Sequence, residues 1–124
     1  MKLAMVNDKL VPMEELDPAH LDRGTYFGDG VYEVLRSYNG KLFALEEHMA
    51  RFAASMAAIR ITGIEIGVVR ERVLAAFKAG GMANAKIYFH VTRGSAPRNH
   101  TWAKDIVPNF FLTISEAPDS SKEK

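Results

Sequence analysis

The sequence predicts an α+β domain, a small two-layer unit with a largely antiparallel sheet and helices packed on it. Three observations predict it. Asn39-Gly40 separates two strand-like runs, and that dipeptide is the strongest short hairpin signal in a chain. Two consecutive segments, 45–60 and 66–79, repeat apolar residues at helical spacing. The segment 85–93 alternates with period two, as a half-buried strand does. Hairpins mixed with adjacent helices favour an antiparallel sheet covered by those helices.

The elements follow in order. Leu3 and Met5, then Leu10 and Val11, flank Asn7-Asp8, a pair that tolerates turn geometry, so the chain opens on a small hairpin. An irregular connector follows, punctuated by Pro18, Gly24, Gly28 and Gly30. Val31 to Tyr38 is the next strand and Lys41 to Leu45 its return. Val31, Glu33, Leu35 and Ser37 share one face of that strand, and Tyr32, Val34, Arg36 and Tyr38 the other. Leu45 to Arg60 is a helix whose stripe is Leu45, Met49, Phe52, Ala53, Met56 and Ile59, ended by Thr62-Gly63. The second helix runs from Ile66 to Ala79, with Val69, Val73, Ala76 and Phe77 on one side. Gly80-Gly81 is its left-handed stop. Ala85 to Arg93 and Val107 to Ser115 are strands joined by a polar loop. The tail after Ser115 has no apolar period.

A chain of 124 residues suits one domain. Its 48% hydrophobic and 25% charged content is ordinary for a soluble protein. A net charge of +1 gives no field that calls for nucleic acid. The lack of cysteine excludes disulfides and thiolate metal sites and fits a cytoplasmic location. The start has no apolar run that reads as a signal peptide or membrane span. His20 and His48 have no partner at a metal-binding spacing.

Several side chains are candidates for chemistry. Tyr32 shares its strand face with Val34, Arg36 and Tyr38; it is either a half-buried packing aromatic or a hydroxyl donor to a carboxylate. Arg51 lies opposite the apolar stripe of its helix, among Ala50, Ala54, Ala57 and Ala58. It either pairs with Glu47 one turn earlier or is aimed at a bound anion. A stripe of alanines admits a close approach, and a guanidinium fork matches phosphate oxygens. Arg98 and His100 sit in the loop after the 85–93 strand. They offer a bidentate fork and a donor whose charge responds near neutral pH. Arg93 ends that strand. His90 reads as a satisfied polar group.

In combination these residues carry a resemblance. The run Tyr26-Phe27-Gly28-Asp29-Gly30-Val31-Tyr32-Glu33-Val34, the HMARF context of Arg51 and the motif VTRGSAPRNH resemble the N-terminal domain of the fold-type IV pyridoxal-phosphate enzymes. That family holds D-amino-acid aminotransferases, branched-chain aminotransferases and aminodeoxychorismate lyases. The resemblance implies that Arg51 binds the cofactor phosphate and that Tyr32 helps hold the substrate carboxylate. It makes Arg98 and His100 a carboxylate trap reached across a homodimer interface, and places Tyr88 near the site. Tyr38 has no such match and reads as packing, and His90 departs from the close relatives. The implied cofactor is pyridoxal 5'-phosphate. The implied reaction moves an amino group between a D-amino acid and a 2-oxo acid, the loop favouring D-amino acids. The alternatives are a branched-chain aminotransferase or aminodeoxychorismate lyase fragment, or a stand-alone domain that catalyses nothing.

The family's chemistry needs a lysine joined to the cofactor, and none of this chain's lysines matches that lysine's context. The expected organisation is therefore a small N-terminal domain over residues 1–115, with a linker or truncated end over 116–124. The C-terminal domain with the catalytic lysine is expected to be absent, so the chain alone is expected to be inactive.

Overall fold

Alternation along the strands decides which face of the sheet the helices cover. The computed structural model describes residues 2–16, 30–93 and 108–117. Its order is β1 (Leu3–Val6), β2 (Lys9–Pro12), a 3-10 turn at Met13–Glu15, β3 (Gly30–Tyr38), β4 (Lys41–Leu42), α1 (Leu45–Ala58), α2 (Ile66–Gly80), β5 (Ala85–Thr92) and β6 (Asn109–Glu116). The six strands form one antiparallel sheet in the order β2-β1-β6-β5-β3-β4. The predicted α+β class holds. The predicted turn around Gly28-Asp29, the loop with Arg98 and His100, and the end of the tail lie outside the described residues.

Both helices lie on one face. Leu35, Ile87, Phe89, Val91, Phe110, Leu112 and Ile114 point into a core closed by Met49, Phe52 and Met56 of α1 and by Val69, Val73 and Ala76 of α2. The apolar stripes read from the sequence supply these helix positions. On the opposite face Ala4, Leu16 and Phe111 form a smaller cluster.

The turns obey local chemistry. Asn39 and Gly40 both take positive φ, 51° and 83°, as the preferred two-residue hairpin demands. The side chain of Asn7 accepts a hydrogen bond from the Phe110 backbone at 2.9 Å, tying the first hairpin to β6. Gly81 stops α2 in the left-handed region. Ser37 is fully buried and solves its own polarity: its hydroxyl donates to the Ala83 carbonyl at 3.0 Å and accepts from the Ala85 N–H at 2.7 Å.

Of the boundaries that differ from expectation, two shape the site. The return strand β4 is two residues long and does not reach Leu45, because Ala44 turns left-handed (φ 55°) and Leu45 already opens α1. The helix α1 ends at Ala58 and not at Arg60, where φ turns positive (59°). Arg93, expected only to end a strand, is buried and caps this helix end. Its guanidinium donates to the Ile59 carbonyl at 2.6 Å and to the Arg60 carbonyl at 3.1 Å, groups a helix terminus leaves without an intrahelical partner.

The shortness of β4 positions the site. β3 pairs with β5 from Gly30 to Arg36, but β4 covers its other edge only at Ser37 and Tyr38. Among the described residues no strand lies against that edge from Gly30 to Leu35.

Candidate active site

The register of β3 places Tyr32 and Glu33 on opposite faces. Glu33 lies on the helix-covered side, between Val31 and Leu35, and its side chain is 8% exposed. A carboxylate in that position needs donors. α1 supplies them from positions three apart, which share one side of a helix. His48 Nδ1 lies 2.9 Å from Glu33 Oε1. Arg51 donates from Nε to Oε2 at 3.1 Å and from Nη2 to Oε1. The partner of Arg51 is thus Glu33 and not Glu47.

Burial alone pushes the Glu33 carboxyl up. The donors from Arg51 and His48, with their charges, outweigh it and hold the group below the ordinary carboxylate value. Glu33 in turn holds the Arg51 guanidinium further into its charged form. Although bound, the Arg51 side chain stays 65% exposed. The alanines around it are exposed as well: Ala50, Ala54, Ala57 and Ala58 leave a low surface beside the guanidinium.

Tyr32 projects from the other face and is 64% exposed. Its ring stacks on Tyr88 across the β3–β5 pair at 5.7 Å between centroids. Tyr88 meets His90 edge-on at 5.8 Å, and His90, buried, lies 5.1 Å from Phe111. Tyr38 packs against Phe43 and under the Arg36 guanidinium, the structural role expected of it.

The two faces meet at the uncovered edge of β3. A groove of about 460 Å³ runs there, lined by Tyr32, Glu33, Val34, Arg51 and Ser55. The structure therefore brings Tyr32 and Arg51 to one cavity and sets Tyr88 against Tyr32. Arg98 and His100 lie outside the described residues. A second groove of similar size, between Asn7 and the start of α2, holds none of the candidates.

Sequence reasoning missed Glu33 and His48 as site residues. The available signal was an acidic residue in the core-facing register of β3, and a histidine three positions before the singled-out arginine. Among the described residues no His, Cys, Asp and Glu are grouped to hold a metal ion, and no helix is long and apolar enough to cross a membrane.

Chemically, the groove offers a cation with part of its donor set committed and a tyrosine in the same lining. That pair suits a ligand with two anionic groups. The Nη1 end of Arg51 makes no protein hydrogen bond among the described residues and can take phosphate oxygens in a fork. These residues fit the phosphate of a pyridoxal-type cofactor.

Comparison with known proteins gives the family and the fold. The sequence profile of the amino-transferase class IV family matches residues 30–124. A D-alanine aminotransferase of Staphylococcus epidermidis is 34% identical over 125 residues, spanning 100% of this chain and 44% of that protein. The crystal structure of 4-amino-4-deoxychorismate lyase from Pseudomonas aeruginosa superposes with a TM-score of 0.71 at 31% identity, over 94% of this chain and 40% of that one. The T.th. branched-chain amino acid aminotransferase, solved with pyridoxamine 5'-phosphate, superposes with a TM-score of 0.76 at 20% identity, over 94% of this chain and 40% of that one, and shares the fold. The chain thus spans less than half the length of these proteins.

Proposed function

The chain belongs to the amino-transferase class IV family, and from that premise we propose that it supplies the smaller domain of a pyridoxal-phosphate aminotransferase. The reaction moves an amino group from a D-amino acid to a 2-oxo acid. The protein works as a cytoplasmic homodimer, and a lysine-bearing domain completes the site. The observation that carries this reading is the shared groove of Tyr32 and Arg51.

Bound there, the cofactor would supply the electron sink for chemistry at the amino-acid α-carbon. The residues of this chain bind and orient. Arg51 grips the phosphate with the fork that Glu33 leaves open. Tyr32, in the same lining, supplies its hydroxyl as donor to a carboxylate. Its stacking on Tyr88 limits the swing of the ring. Arg98 and His100 hold the same carboxylate from the partner subunit's loop, Arg98 by a bidentate fork and His100 by a further donor. The D-alanine aminotransferase relative supports a D-amino acid as substrate. The lyase relative supports the second reading, a lyase acting on 4-amino-4-deoxychorismate.

The test uses the protein that joins this chain to a lysine-bearing domain. Arg51→Ala should weaken cofactor retention about ten- to a hundredfold, the effect of one lost charge-assisted contact, and should lower the melting temperature as well, because the buried Glu33 loses two of its donors. Unchanged retention makes Arg51 a surface residue paired with Glu33 and removes the basis of the assignment. Pyruvate formation from D-alanine, set against 4-aminobenzoate formation from 4-amino-4-deoxychorismate, separates the two readings.

A further inference from the structure

We propose that Glu33, steadied by His48, is a positioning residue for the anion-binding guanidinium: it occupies one hydrogen-bonding edge of Arg51 and leaves the other turned to the groove. The inference rests on the assignment of Arg51 to a phosphate group.

A guanidinium presents its donors as two forks, a side fork of Nε and one Nη, and an end fork of both Nη groups. Arg51 rises from an exposed helix position, where an untethered side chain samples many rotamers. Glu33 takes the side fork with both oxygens, Oε2 from Nε at 3.1 Å and Oε1 from Nη2. Two parallel bonds fix the plane of the group as well as its place. The end fork is what remains, and it is the one whose two nitrogens suit a pair of phosphate oxygens.

The role of His48 follows from donor and acceptor counting. Its Nδ1 is 2.9 Å from Glu33 Oε1 and 3.2 Å from Arg51 Nη2. Arg51 Nη2 can only donate and an ionised Glu33 can only accept. Nδ1 cannot accept from one and donate to the other with the same site. With Glu33 ionised, Nδ1–H donates to Oε1, and the 3.2 Å approach is two donors converging on one oxygen. That oxygen is thereby held by positions 48 and 51 of one helix. The carboxylate cannot turn away from Arg51 without losing both.

Two effects of Glu33 on an anion oppose each other. Its charge repels the ligand, while its fork prepares the guanidinium. The groove is open to water, so the repulsion is screened. The fork acts directly on a long side chain with large rotamer freedom. Positioning therefore wins, and removing Glu33 weakens anion binding.

The experiment is a titration of the 15N-labelled 124-residue chain with inorganic phosphate. It reads binding from the backbone amide signals of β3 and α1 around the groove, follows the exchange of the Arg51 Nε–H with water where that residue is kept, and checks the fold by circular dichroism. Arg51→Ala should abolish the response. Glu33→Ala should weaken binding about tenfold and speed Nε–H exchange, because the side chain regains its rotamers. Glu33→Gln keeps an oxygen acceptor without the charge and should stay within about threefold of the parent. Phosphate bound as tightly or more tightly by Glu33→Ala, or more tightly by Glu33→Gln, with Arg51→Ala still inactive, overturns the positioning role and leaves the Arg51 assignment standing. Parent-like binding by Arg51→Ala overturns both. Should Glu33→Ala fail to fold, Glu33→Gln decides alone: tighter binding refutes the proposal, and parent-like binding with slow Nε–H exchange supports it.

Discussion

Replacing Phe52 by alanine tests how α1, the helix that carries both His48 and Arg51, is fastened to the sheet. Phe52 is fully buried, and its ring centroid lies 5.0 Å from that of Phe89. An aromatic side chain of this kind buries roughly 150–250 Å². At about 25 cal/mol per Å² that amounts to roughly 4–6 kcal/mol, of which alanine retains a part while the cavity adds a cost. The expected loss is about 3–5 kcal/mol, the usual range for such a truncation. Against a total of roughly 5–15 kcal/mol for a domain, it removes about a fifth or more of the stability. At about 3–5 °C per kcal/mol for this chain length, the melting temperature should fall by roughly 10–25 °C. Urea unfolding followed by far-UV circular dichroism gives the free energy and the slope together. A loss below about 1 kcal/mol at unchanged slope would show that the ring does not anchor α1, and the packing argument for the site would fail with it.

Two further predictions concern the polar groups around the same helix. Glu33 is held below its ordinary pKa of 4.5, so the folded state binds fewer protons than the unfolded one in that region. Its contribution is complete above about pH 5 and is lost as pH falls through 4.5 and below; Glu33→Gln should flatten that part of a stability profile measured from about pH 3 to 7, and an unaltered profile would show that the pair is not formed in solution. Arg93→Met should cost about 2–4 kcal/mol in urea unfolding, because the carbonyls of Ile59 and Arg60 lose buried charged donors. A loss under about 0.5 kcal/mol would mean that water caps α1 equally well.

What was legible in the sequence was local. Asn39-Gly40 announced its hairpin because few dipeptides accept two positive φ values in succession. The stripe of Met49, Phe52 and Met56 announced its helix because burial repeats with the helical period, and Gly81 marked the end of α2. Leu45 misled because an apolar residue satisfies a strand pattern and a helix pattern alike; the left-handed Ala44, which decides between them, leaves no sign in either. The site was legible in part. Tyr32 and Arg51 were singled out and line one groove, but the partner of Arg51 was sought one turn away along its own helix. The residue that pairs with it lies 18 positions earlier, on a strand. Arg93 likewise reaches carbonyls 33 and 34 positions upstream. The reason is common to both cases. An acidic residue in the core-facing register of a strand, or a cation at the end of one, states a need for polar partners. That need is visible in the alternation of β3, where Glu33 interrupts Val31, Leu35 and Ser37. Which element answers it depends on packing, and α1 answers because its apolar stripe, with Phe52 at the centre, lays His48 and Arg51 over that strand.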